Sequence, residues 1–196
     1  MSRRITATAI VFSLIGSIFT ASAFANEHCA EALEGQAKHH SKHAAHKSHA
    51  PEVKHSIHVK AKPEQVWAAI QHQRENDSHR KLLSYDGNAA TLHETFAALP
   101  IVGEASCDYV EHESDQYKRI DYNLVKSDRF AVFEGSWVIS PDKDGTTVEL
   151  TNAIDPGIRV PFWQDITKIA ASKMVKRRLD AVNAYASQLN HTQAAQ

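Results

Sequence analysis

Few residues in this 196-residue chain combine the type and spacing that chemistry needs. Glu94 shares parity with Leu92 and Phe96 in an alternating segment, which makes it the best candidate among the strand charges for an inward acid. Desolvation there would raise its pKa and suit it to general acid or base work. The leading expectation for the strand charges Glu94, Arg119, Asp121 and Glu134 is nevertheless a solvated face. His93 and His112 stand singly in strand-like segments, the pattern of surface or satisfied core residues. A second set is aromatic: Phe96, Tyr109, Tyr122, Phe133, Trp137, Phe162 and Trp163. Each alone reads as ordinary core. As a set they suit the wall of a cavity for a sterol, quinone, polyketide or acyl chain.

A third set lies near the N-terminus. His39, His40, His43 and His46 recur at three- and four-residue spacing. On a helix they would present imidazoles on adjoining faces, suited to Zn, Cu or Ni. Without a helix they form a flexible chelating tract, weak because it has no fixed geometry and no supporting shell. The same tract also reads as a solubilising linker that charges below about pH 6.5. The sequence has no Gly-rich phosphate loop, zinc-protease helix motif, nucleophile elbow or paired-cysteine metal motif, and nothing in it calls for a resident cofactor.

The elements that must position these residues alternate clearly. Val53, His55, Ile57 and Val59 share one parity, which predicts a half-buried strand. Pro63 opens a helix with Val66, Trp67 and Ile70 inward, and the polar run Gln71 to Arg80 is expected to end it. Strands follow at short intervals, with turns at Asp86-Gly87-Asn88, Leu99 to Gly103, Glu113 to Asp115, Lys126 to Asp128 and Pro141 to Gly145. Phe133, Gly135, Trp137 and Ile139 share a parity, and so do Val148 and Leu150. Asp155-Pro156-Gly157 stops the last strand. A helix from about Pro161 to Leu189 then carries a stripe of Phe162, Ile166, Ile169, Ala170, Met174, Val182, Tyr185, Ala186 and Leu189. Lys168, Lys173, Lys176, Arg177 and Arg178 lie largely off that stripe. Such a helix is about 40 Å long and needs a broad concave partner. The order therefore predicts an α+β fold: a curved antiparallel sheet of about six to seven strands gripping a long C-terminal helix, with a gap between them as the pocket.

Composition bounds the rest. Residues 1–25 carry Arg3 and Arg4, an uncharged apolar run from Ile5 to Thr20 and the small-x-small site Ala23-Phe24-Ala25, the pattern of an export signal. Cleavage there would leave 171 residues and take the formal net charge from −1 to −3, and predicts a periplasmic or secreted protein. No basic stripe points to nucleic acid. Residues 26–52 are rich in His, Lys, Ala and Ser and too poor in larger apolar side chains to order themselves. Residues 53–190 form the domain, and 191–196 a C-terminal tail. Cys29 and Cys107 either pair in the oxidising compartment or stay apart, one free and one buried.

Three segments carry a resemblance. Val59-Lys60-Ala61-Lys62-Pro63-Glu64-Gln65-Val66-Trp67, the hairpin from Gly135-Ser136-Trp137 to Gly145-Thr146-Thr147-Val148-Glu149-Leu150, and Asp155-Pro156-Gly157-Ile158-Arg159-Val160-Pro161 stand in the order seen in the START-like superfamily. The sequence resembles that superfamily of polyketide cyclases, lipid-transfer domains and coenzyme Q-binding proteins over about residues 53 to 190. The resemblance implies the helix-grip fold and an internal ligand cavity, and no shared catalytic residues. It departs at Gln71 to Asp77, where an aromatic segment is expected. The leading expectation is a binding protein that carries a small apolar ligand and exchanges it at a membrane surface. The alternatives are a cavity enzyme of cyclase or hydrolase type using Glu94, and a metal buffer working through the histidine tract.

Overall fold

A computed structural model of the protein describes residues 50–100 and 102–194. The segment 1–25, Cys29 and the histidines His39, His40, His43 and His46 lie outside the described residues. The elements run β1 (Glu52–Val59), α1 (Pro63–Asn76), β2 (Arg80–Asp86), β3 (Ala89–Leu99), β4 (Gly103–Asp115), β5 (Arg119–Ser127), β6 (Val132–Asp142), β7 (Gly145–Asp155) and α2 (Trp163–Ala194). The strands form one antiparallel sheet in the order β1-β7-β6-β5-β4-β3-β2. β2 to β7 is thus a meander, and β1 returns to pair with β7. β1 and β2 are the two edges, and α1 carries the chain from one to the other. α2 lies across β1 and β7 and packs on α1. This is the helix-grip fold.

Alternation places the interior. Leu92, Glu94 and Phe96 of β3, Cys107, Tyr109 and Glu111 of β4, Ile120 and Tyr122 of β5, Phe133, Trp137 and Ile139 of β6, and Val148 and Leu150 of β7 are all buried. Their neighbours of opposite parity face outward, as the two-residue period of a strand requires. At Gly135 the absence of a side chain is structural. A Cβ there would collide with the Thr151 carbonyl and the Tyr122 hydroxyl, which donates to that carbonyl at 3.0 Å.

Two local devices aim the helices. Lys62 donates its backbone N–H to Gln65 Oε1 at 2.8 Å, and Thr146 Oγ1 donates to the Ala61 carbonyl at 2.7 Å, tying the start of α1 to β7. Before α2, the Asp155 carboxylate accepts the Gly157 N–H and both terminal nitrogens of Arg159, each at 2.8 Å. The Arg159 guanidinium then sits 4.6 Å above the Trp163 ring. The Asp155 to Pro161 segment is therefore a latch that sets the direction of α2. Arg159 holds the Asp155 carboxyl below its ordinary value, against some burial.

The structure corrects three expectations. α1 ends at Asn76, inside the polar run expected to end it, but that run is not all surface: the Arg74 side chain is buried against β4. β4 continues through Asp115, so the turn falls at residues 116–118 rather than at Glu113 to Asp115. The buried line of α2 is Ala171, Val175, Arg178, Leu179, Val182 and Ala186, while Ile169 is 60% exposed. The seam keeps Val182 and Ala186 of the expected stripe, adds Ala171, Val175 and Leu179 in place of Ile169, and includes an arginine.

Candidate ligand site

The expected aromatic wall is mostly packed core. Tyr109, Tyr122 and Phe133 meet one another with ring centroids 5.2 to 6.0 Å apart. Phe96 joins them edge-on through Phe133 at 5.7 Å and Phe130 at 5.2 Å. Trp137 is buried to 1% exposure. Rings at these separations fill their space and leave no void between them. Phe162 is not part of the wall: it stands 77% exposed just ahead of α2. Its φ of 60° turns the chain so that the side chain leaves the seam.

The void lies at the end of this cluster. A cavity of about 340 Å³ sits between the β3–β4 corner and the first half of α2. Phe96, Leu99 and Pro100 form one side, and Ile169, Ala170 and Met174 the other. Glu94 is also on its wall, and His79, Lys173 and Arg177 surround it with positive or polar groups. A small space of about 40 Å³ lies beyond, against Phe130, Ile154 and Ala171. Phe96, Leu99, Pro100, Ala170 and Met174 line both spaces and so form the partition. Of the expected lining residues, only Phe96 touches the cavity; Tyr109, Tyr122, Phe133 and Trp137 stand behind it.

Glu94 is buried at 2% exposure, on the face its parity indicates. Its chemistry differs from the expectation. Both carboxylate oxygens accept from Arg178 NH2, at 2.6 and 2.7 Å. Arg80, its cross-strand partner in register, brings Nε to 3.3 Å. Tyr109 Oη leans on the same carboxylate without reaching good hydrogen-bond geometry. Burial alone would raise the Glu94 pKa, but Arg178 and Arg80 override it and hold the carboxyl below its ordinary value. The group is a locked anion and not a poised general acid. Burial raises the Tyr109 hydroxyl well above its ordinary value, and it pushes the Cys107 thiol up to about 12 with Glu94 beside it. Cys107 is thus an inert buried thiol.

A second buried pair stands alongside. Arg74 of α1 donates to Glu111 at 2.7 Å and to Glu113 at 3.0 Å. Arg74, Arg80 and Arg178 together face Glu94 and Glu111 in the buried interior, and Arg74 NH2, Arg80 Nε and Arg80 NH2 make no hydrogen bond to protein. Sequence reasoning missed all three arginines. A signal existed for Arg178. The 3.6-residue period leaves a gap between Met174 and Val182 that only positions 178 and 179 can fill.

A groove of about 520 Å³ runs between α1 and α2 on the other side of this network. His79 and Arg177 line both the groove and the cavity. Glu94 faces the cavity and Arg178 the groove, so the ion pair is the floor between them.

Comparison with known proteins decides the family. Residues 50–187 match the profile described as polyketide cyclase / dehydrase and lipid transport. The chain belongs to that family. Similar solved structures share the fold. The Zhui aromatase/cyclase from Streptomyces sp. R1128 aligns at a TM-score of 0.60 and 14% identity, over 71% of this chain and 95% of that one. A START superfamily protein from Mycobacterium smegmatis aligns at 0.57 and 15%, over 70% and 98%. A STAR-related lipid transfer protein from Xanthomonas axonopodis aligns at 0.57 and 16%, over 71% and 89%. No curated protein matches the chain. The family generally binds small hydrophobic ligands.

Proposed function

We propose that this protein binds and carries a compact, largely apolar molecule with one polar end, in the cavity between the β3–β4 corner and α2. The observation that carries this reading is the mainly apolar cavity closed on one wall by an already neutralised Glu94–Arg178 pair. Its volume is at the small end for ligand pockets, which favours a ring system or a single short chain over a two-chain lipid. Phe96, Leu99, Ala170 and Met174 would bury the apolar body. His79, Lys173 and Arg177 stand where they would meet a carbonyl, hydroxyl or carboxylate end. Tyr109, Tyr122, Phe133 and Trp137 act from behind, by holding Phe96 and the sheet curvature in place.

Binding is favoured over turnover. A general acid or base needs a pKa near the working pH, and Glu94 is held on the wrong side of that range by two arginines. Native mass spectrometry of the purified chain tests the proposal. A mass increment from a co-purified or added quinone, polyketide-like aromatic or single-chain lipid is expected. A chain that stays empty against all three classes would sink it.

The site of action is proposed to be outside the cytoplasm, supported by the Arg3-Arg4, apolar and Ala23-Phe24-Ala25 pattern. Intact-mass measurement of the exported chain should find 171 residues, beginning at Asn26. Recovery of only the uncleaved chain in the cytoplasm would reject it. Weak metal binding by His39, His40, His43 and His46 would be a property of that N-terminal segment.

A further inference from the structure

We infer that the rim of the cavity around the start of α2 is a docking surface for an anionic lipid bilayer. The inference rests on the cavity being a ligand site, and it names the place where that ligand is exchanged. Phe162 is the starting observation. Its carbonyl accepts the Ile166 N–H at 3.1 Å, so it occupies the N-cap position of α2. That position favours Ser, Thr, Asp or Asn, whose side chains satisfy the first free N–H groups. Phenylalanine can do nothing of the kind. Its φ of 60° is strained for a bulky side chain. The ring is also 77% exposed, the highest value among the described large hydrophobic residues. Three local costs converge on one residue whose ring is mostly in solvent. Such a cluster of costs points to function.

Helical periodicity extends the surface. At 100° per residue within α2, Ile166, Ile169 and Lys173 fall on one face, with Lys176 and Arg177 flanking it, and Phe162 stands just ahead of the helix. Ile169 is 60% exposed, and Val160, just before, is 37% exposed. Lys168, Lys173, Lys176 and Arg177 are exposed, against a single acid, Asp165, on the same half of α2. An apolar tip followed along the same face by basic residues matches the interface of an anionic bilayer: ring and branched side chains enter the acyl boundary, and the ammonium groups meet phosphates. A protein partner is the poorer fit, because lysine is depleted from the buried centres of protein interfaces. The placement has a consequence for ligand passage. Ile169, Lys173 and Arg177 also line the 340 Å³ cavity, so a docked membrane would lie against its mouth.

Vesicle flotation of the full chain above about pH 7.5, where the tail histidines are neutral, tests this. Phosphatidylcholine vesicles with and without phosphatidylglycerol are compared, and the N-terminal segment is common to parent and variants. The parent is expected to bind the phosphatidylglycerol vesicles and to be released by salt. Phe162→Glu should lower partitioning about tenfold or more. Lys176→Glu should lower it about fivefold. Neither residue lines the cavity, so uptake of a soluble fluorescent probe, anilinonaphthalene sulfonate, from lipid-free buffer should be unchanged in both. Equal vesicle binding by Phe162→Glu and parent, or no preference for phosphatidylglycerol, overturns the docking surface even if the probe enters. A parent that excludes the probe but binds anionic vesicles through Phe162 overturns the cavity reading and leaves the surface standing.

Discussion

The two halves of α2 meet the same sheet in opposite ways. From Arg178 to Ala186 the helix is clamped: Leu179, Val182 and Ala186 are fully buried, and Arg178 is ion-paired to β3. From Trp163 to Arg177 the packing is sparser: Thr167, Ala171 and Val175 are buried, but Ile169 is exposed, Ile166 and Met174 are half-buried, and the cavity and the small space beyond it lie alongside. The difference follows from what each half faces. α1 packs beside the C-terminal half, with Tyr185 stacked on His72 at 3.8 Å, and leaves the 520 Å³ groove open on the outer side. The N-terminal half faces the β3–β4 corner across the cavity and is tied to β1 where His55 Nε2 meets Ser172 Oγ at 2.7 Å. A helix held firmly at one end and loosely at the other can admit a ligand without losing its place in the fold.

The sharpest way to break this contrast is at the clamp. Glu94→Gln leaves Arg80 and Arg178 buried beside each other with no carboxylate between them. Removing one partner of a buried pair costs about 3–5 kcal/mol, and denaturant unfolding should show a loss of that size. A loss near zero would mean that water reaches the network and that the clamp is not electrostatic.

Packing should show the same asymmetry. Leu179→Ala removes a fully buried side chain from the clamped half and should cost about 2–5 kcal/mol. Ile169→Ala, near the middle of the loose half, should stay within about 0.5 kcal/mol. Equal losses at the two positions would show that the halves are alike in solution.

Acid should loosen the clamp by a calculable route. Glu94 has its folded-state pKa depressed below its ordinary value of 4.5. A depressed carboxyl contributes stability that is present above the unfolded pKa and is lost as pH falls through the folded one. The loss therefore begins below about pH 4.5, and Asp155, also depressed, adds to it in the same range. Unfolding free energy measured against pH should fall there in the parent and fall less steeply in Glu94→Gln. Superimposable acid limbs would assign the loss to other carboxylates.

The strands were legible because period-two alternation depends on burial alone. From Leu92 to Leu150 the inward residues are those whose parity indicated it. The clamp was not legible, for a physical reason. Reading a helix by its apolar stripe assumes that charge means surface, and Arg74 and Arg178 break that assumption because their partners come from distant strands. The order of elements likewise implied a cavity, and the aromatics were assigned to it as a group. Whether a ring lines a void or fills one depends on its neighbours' separation, which no single strand encodes. Phe96 borders the void because it sits at the last inward position before the corner; Tyr109 and Phe133 stand further in and fill it.

The loose half offers the gentlest test, because it can change function with little effect on stability. Met174 is half-buried and lies in the partition between the 340 Å³ cavity and the small space beyond. Phenylalanine in its place adds volume where space already exists, so the overpacking cost of about 1–3 kcal/mol seen in full cores should be largely avoided. The same ring would occupy the room a ligand needs. Met174→Phe is therefore expected to unfold within about 1 kcal/mol of the parent and to lose most uptake of an apolar probe. Leu179→Ala should do the reverse and weaken the fold while leaving the cavity wall intact. If Met174→Phe keeps full uptake, the ligand enters elsewhere, and the groove between α1 and α2 becomes the site to examine. If it unfolds as readily as Leu179→Ala, the first half of α2 is packed in solution, and the contrast between the two halves disappears.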